Sequence, residues 1–300
     1  MGNSIEMVPL DATGRANFSI AVPRIQLLVL LALILWLYHS ILYRLAAQWG
    51  SDPNFSHGYF VPAFALYVLW CDRAKLRKIA PTPSWAGMGF VVLGLLMLVL
   101  GVLGVELFTE RVSLLVLLAG LTVSFLGWQF FRAVLFPGVF LILMIPLPNL
   151  ILQKVTFPLQ LLASELATFM LRAAGIAVNL QGNVINLASM TLEVIEACSG
   201  IRSLLSLITL AIIYGYLMEK RIWVRITLAC SAVPIAVFAN GFRIFGTGVL
   251  GQYLDPDKAQ GFFHEFQGWL IFVVSLLILF AVHRLINLVW KPPTVAGAIS

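Results

Sequence analysis

The chain has 300 residues, 61% of them hydrophobic and only 11% charged, with a net charge of +6. Charge this sparse is well under half the usual soluble content, and apolar runs of about 18 or more residues recur along almost the whole length, which excludes a globular domain on one anchor and makes this an integral membrane protein. There is no basic arm to grip phosphates, so no nucleic acid partner is expected, and 3 cysteines without an even, close spacing argue against a disulfide framework, a zinc site or any other metal or cofactor.

The first 24 residues are polar, with Arg15 and Arg24, and the apolar run behind them is long and lacks a small-residue cleavage site. It reads as a retained span following a cytoplasmic tail over 1–24, not as a removed signal peptide. The pattern predicts an all-α polytopic fold with about eight transmembrane helices, at 25–45, 57–71, 85–105, 112–131, 133–148, 200–218, 222–243 and 266–287. The second and fifth are short, and Pro62, Pro137 and Pro146 mark kinked or tilted pieces. These spans make a single transmembrane domain over 25–290, followed by a second cytoplasmic tail over 291–300.

One stretch breaks the pattern. Residues 149–178 scatter Gln153, Lys154, Gln160, Ser164, Glu165 and Arg172 among Leu, Phe and Met. Such an amphipathic helix is expected in the outer interface, the alternative being a loosely apolar span. The runs Leu180–Leu187 and Met190–Ile195 are rich in β-branched residues with turn formers around them, which predicts a short β-hairpin. The hairpin delivers the chain to Cys198, so 149–198 forms an outer-face insertion.

With the N-terminus in the cytoplasm, the segments placed inside hold twelve Lys and Arg and those outside hold seven. The dense turns Asp72–Lys78 and Glu219–Arg221 both fall inside. The positive-inside rule therefore favours cytoplasmic termini. The 22 residues from Cys198 to Lys220, and the 22 from Arg221 to Arg243, each span about 33 Å as helix, one hydrocarbon thickness. Whichever way the chain is inserted, Cys198, Arg243 and His264 are expected on one membrane face, the outer one under this orientation.

Those three residues are the candidate catalytic group. Cys198, in Glu196-Ala197-Cys198-Ser199-Gly200, is predicted to open a helix, whose partial positive charge and unpaired N–H groups stabilise a thiolate or the oxyanion of a tetrahedral intermediate. Arg243 ends the seventh predicted span. A guanidinium there can snorkel to the interface, or it can lower a thiol pKa, hold an oxyanion or bind a carboxylate. Asn240 lies one turn earlier and can orient it. His264 has an unperturbed pKa suited to general acid or base work. His57, on the same face, is a second candidate for shaping the pocket. Arg202 lies four residues after Cys198 and can pair with Glu193 or Glu196 or bind lipid phosphate. Cys71 and Cys230 sit at the end and the middle of spans and read as packing residues.

At these residues the chain resembles the exosortase/archaeosortase family. The resemblance rests on Ala197-Cys198-Ser199-Gly200-Ile201-Arg202-Ser203, on Asn240-Gly241-Phe242-Arg243, on His264 before the last span, and on Trp49, Asp52 and Ser56-His57-Gly58 in the first outer loop. It implies a cysteine transpeptidase of the bacterial inner membrane with its active site on the periplasmic side. Its substrates would be exported proteins carrying a C-terminal motif such as Pro-Glu-Pro, a hydrophobic helix and a basic tail (a PEP-CTERM-like signal). Cys198 would be the nucleophile, forming a thioester. Arg243 would be the essential arginine and His264 the third catalytic residue, with a lipid or glycan as acceptor. A hydrolytic protease would use the same residues. The alternative from another class is a non-catalytic transporter or scaffold in exopolysaccharide export. That would be expected to show interrupted spans with midplane polar groups, whereas the polar residues here gather at the outer ends.

Overall fold

The computed structural model describes residues 24–194, 201–253 and 262–290, without the side chains of 24, 27 and 262–267. Contacts divide the chain into two units, Met1–Tyr43 and Arg44–Ser300. The first contributes most of helix α1 (Arg24–Ser51), whose Leu28, Leu31, Leu33, Leu35 and Trp36 are exposed, the surface expected of a lipid-facing span.

The second unit continues from the end of α1 into a 3-10 turn (Pro53–Tyr59), then α2 (Phe60–Cys71) and the single turn α3 (Arg73–Leu76). Helices α4 (Ala86–Leu103) and α5 (Leu107–Phe125) follow as a tight hairpin. Between lipid tails there is no hydrophobic drive to pair helices, so close approach through small residues supplies the contact energy. Here Gly87, Gly94 and Gly101 recur every seven residues, and a Cβ on them would stand only 2.4, 2.9 and 2.7 Å from backbone nitrogens of Ser124, Leu117 and Glu110. Gly94→Leu is therefore expected to destabilise the protein by about 1–3 kcal/mol through overpacking. Gly89→Leu, where an added Cβ meets nothing within 4 Å, should leave thermal unfolding in detergent unchanged. From the end of α1, Arg44 reaches Glu110 of α5 at 3.0 Å.

The chain then breaks at Gly127, whose φ of +85° and 2.1 Å approach of a hypothetical Cβ to the Thr82 carbonyl admit no other residue without strain. Two short helices, α6 (Gly127–Ala133) and α7 (Leu135–Phe140), and a 3-10 turn (Leu141–Met144) follow, bent by 60°. Helix α8 (Asn149–Ala173) buries its small residues Ala163, Ser164, Ala167 and Thr168 and exposes Lys154, Glu165 and Phe169. A three-stranded antiparallel sheet comes next: β1 (Val178–Gln181), β2 (Val184–Leu187) and β3 (Thr191–Glu193), in the order β1-β2-β3. Gln181 pairs with Val184 around Gly182, which has φ +63° as a two-residue hairpin turn requires. The sheet packs Ile185, Leu187 and Leu192 against Ala167 and Leu171 of α8.

Three long helices complete the fold: α9 (Ile201–Met218), α10 (Ile222–Tyr253) and α11 (Phe262–Val289). Their shared core holds Leu204, Leu207 and Ala211 of α9, Val224, Leu228 and Ala232 of α10, and Leu279 and Ile286 of α11. A polar clamp closes one end. Arg221 Nη2 donates to Glu219 Oε2 at 2.6 Å and to the Asn287 side chain, and Arg221 Nη1 donates to the Trp290 carbonyl at 2.7 Å. His283 sits 3.5 Å from the Glu219 carboxylate and 2.7 Å from the Tyr214 hydroxyl. The Arg221 guanidinium holds the Glu219 carboxyl down at about 2.

Among the described residues, six helices are long and apolar enough to cross a membrane, or seven if the bent pair counts as one span. The all-α polytopic architecture is the expected one, with six or seven such helices against about eight expected. The stretch predicted as a span at 57–71 is a 3-10 turn followed by a 12-residue helix, about 18 Å long. The stretch at 133–148 is bent and begins earlier, at Gly127. The amphipathic segment is present as α8. The hairpin is present too, but the second run adds a third strand. The span predicted to end at Arg243 continues as helix to Tyr253, so Arg243 lies within α10.

Candidate functional site

Away from the clamp, Arg202 lies in the first turn of α9, Asn240 and Arg243 lie on α10, and His264 lies in the first turn of α11. On α10, Arg243 is 22 residues from Arg221, about 33 Å along the axis. Asn240 and Arg243, three apart, share one face of that helix. Asn240 is buried, and its Oδ1 has no hydrogen-bond partner among the described residues. It lines a small, open recess together with Thr156 and Leu159 of α8, Ile201 and Leu204 of α9, and Ala236 and Val237 of α10. Helix α8 can come this close because Gly241 faces it: a Cβ there would lie 2.8 Å from Leu166.

The half-buried Arg243 guanidinium lies across the gap to α11. A Cβ on Gly268 would stand 3.6 Å from its Cζ. His264 occupies α11 four residues before Gly268, hence one turn away on the same helix face. The side chain of His264 lies outside the described residues, and so does Cys198. Ile201, which opens α9 beside Asn240, is three residues beyond that cysteine. Arg202 is exposed on the first turn of α9.

His57 belongs to a neighbouring, locally braced turn. Asp52 caps the 3-10 helix by accepting from the Asn54 N–H at 2.9 Å, and Pro53 supplies its first position. The Trp49 indole N–H donates to the Met144 carbonyl at 2.9 Å, and its ring covers Gly58, where a Cβ would stand 2.4 Å from Nε1. The buried His57 ring brings Nε2 to 3.3 Å from the Leu143 carbonyl, and burial lowers its pKa. A neutral imidazole donating from Nε2 fits this setting. The turn packs against α9. Its level can be gauged from α2, which ends where the Tyr216 hydroxyl of α9 donates to Asp72 at 3.3 Å. Stepping back the 12 residues of α2 reaches about Leu204 of α9, near the recess.

The match to a family model is decisive: the model for transmembrane exosortase (Exosortase_EpsH) covers residues 49–281. The chain belongs to the transmembrane exosortase family. No curated protein and no solved structure matches it. The family region begins at Trp49, takes in the braced His57 turn and ends within α11, so it includes every candidate residue named above.

In this exosortase two further helices border these residues at positions that the sequence patterns did not single out. Gly268 of α11 lies beside the Arg243 guanidinium, and its only signal was a glycine one turn after His264. Thr156 and Leu159 enter the recess from α8, which sequence reading placed in the interface rather than beside Asn240.

Proposed function

We propose that the protein is a membrane-embedded cysteine transpeptidase that cleaves C-terminal, PEP-CTERM-like sorting signals of exported proteins, with Cys198 as nucleophile, Arg243 and His264 as its partners, and the site on the periplasmic side of the bacterial inner membrane. The observation that carries this reading is the seating of Arg243 against α11 one turn from His264, while Asn240 of the same α10 face meets Ile201, three residues after Cys198. Three residues of chain reach at most about 11 Å, which supports a Cys198 close to Asn240 and Arg243.

In this reaction the Cys198 thiolate attacks the scissile carbonyl, and Arg243 stabilises the oxyanion. The C–N bond breaks, His264 gives its proton to the leaving amine, and the acyl group remains on sulfur as a thioester. An incoming hydroxyl, amine or water then releases it. His57, neutral and committed to Leu143, shapes the neighbouring wall. Co-expression with a substrate ending in a Pro-Glu-Pro motif, an apolar helix and a basic tail tests the proposal. Mass spectrometry should find a new C-terminus at the motif, carrying the acceptor. An uncut substrate at normal protein abundance would count against catalysis and for a scaffold in exopolysaccharide export.

The proposed orientation has its own check. A reporter fused after Lys291 should register cytoplasm, and one inserted at Asp257 should register the opposite side. A cytoplasmic Asp257 insertion would refute the periplasmic placement while leaving the common face of the three residues intact.

A further inference from the structure

We infer that the face at the clamp end of the bundle is a binding surface for the headgroups of anionic phospholipids. Two turns of seven residues, 72–78 and 219–225, hold seven Lys and Arg against two carboxylates, a net +5 out of the +6 of the whole chain. The fold joins these turns. The Tyr216 hydroxyl donates to Asp72 Oδ2 at 3.3 Å, and the Arg225 guanidinium lies 4.9 Å from the Tyr216 ring centre, so the end of α2 and the α9–α10 turn form one surface.

Both carboxylates are already committed. Asp72 takes Lys75 at 2.8 Å as well as Tyr216, and Glu219 is buried with Arg221. Arg73, Arg77, Lys78 and Lys220 are exposed and have no carboxylate partner among the described residues. Arg73 lies over Trp70, 4.2 Å from the ring centre, and the exposed Trp223 and Trp290 rings pack edge to face beside Arg221. Tryptophan at the headgroup level with arginine and lysine beside it is the composition that meets lipid phosphate at a bilayer surface. Charge complementarity thus selects an anionic lipid. The surface sits about 33 Å along α10 from Arg243, so the inference does not depend on the proposed chemistry.

The test uses the full-length protein reconstituted in bilayers of equal phosphatidylglycerol and phosphatidylcholine, then released for native mass spectrometry. Retained lipid should be enriched in phosphatidylglycerol by about five-fold or more. Arg77→Gln with Lys78→Gln should bring the ratio close to that of the bulk bilayer, and raised salt should do the same. Lys154→Gln with Arg172→Gln removes two exposed cations elsewhere and should keep the enrichment. Equal retention of the two lipids by the parent, or parental enrichment in Arg77→Gln/Lys78→Gln, would overturn the inference. So would an equal loss in the two double variants, which would make the effect one of overall charge.

Discussion

Cys198→Ala is expected to abolish cleavage of a co-expressed substrate, because the proposed thioester requires sulfur at that position. Cys71→Ala and Cys230→Ala should cleave at the parental level. Both are exposed free thiols; Cys71 ends α2, and Cys230 lies 13 residues before Arg243 on α10, about 20 Å along the axis. Cys198→Ser should retain little activity, since a hydroxyl ionises far less readily than a thiol. The readout is the fraction of substrate cut at matched membrane abundance. Parental cleavage by Cys198→Ala would remove the nucleophile from the proposed mechanism.

Arg243→Lys is expected to lower the cleavage rate by about 100-fold or more, the scale of losing one oxyanion donor. Lysine keeps the charge but not the planar fork that lies against Gly268. His264→Ala should cost a comparable factor, within the roughly 10²–10⁴ range of general acid catalysis. Residues that act as a unit lose activity non-additively, so Cys198→Ala combined with His264→Ala should match Cys198→Ala alone. Gly268→Leu adds a geometric arm: an added Cβ would already be in contact with the guanidinium at 3.6 Å, so the rest of a leucine side chain should displace Arg243 and depress cleavage with every candidate side chain intact. Parental rates in both Arg243→Lys and His264→Ala would show that these two do not serve the thiol, and His57 with Arg202 would be the next pair to examine.

Much of this arrangement was legible in the sequence because helix rise is fixed. Spacing alone put Arg243 about 33 Å from Arg221, far along α10 from the clamp. Hydropathy likewise marked α4, α5, α9, α10 and α11. It failed where length was the issue. Phe60–Cys71 is apolar enough to suggest a span, yet Pro53 and the Asp52 cap commit the preceding residues to a 3-10 turn, leaving too few for a crossing helix. Arg243 looked like a span terminus because a charge usually ends an apolar run. In the fold the helix continues past it to Tyr253. The seat at Gly268 and the entry of Thr156 into the recess depend on which helix faces which, and a periodic pattern does not encode that. The Gly87, Gly94, Gly101 repeat was present in the sequence, but it acquires meaning only against the backbone of α5.

The acyl intermediate tests the central claim most directly. The protein should be purified from cells co-expressing the substrate, both as the parent and as His264→Ala, then digested and mapped by mass spectrometry with and without hydroxylamine. A hydroxylamine-labile acyl adduct on Cys198, carrying the substrate residue that precedes the cut, is the predicted result. Cleaved substrate with no adduct on Cys198 in either protein, or an adduct on Cys71 or Cys230 instead, would contradict it.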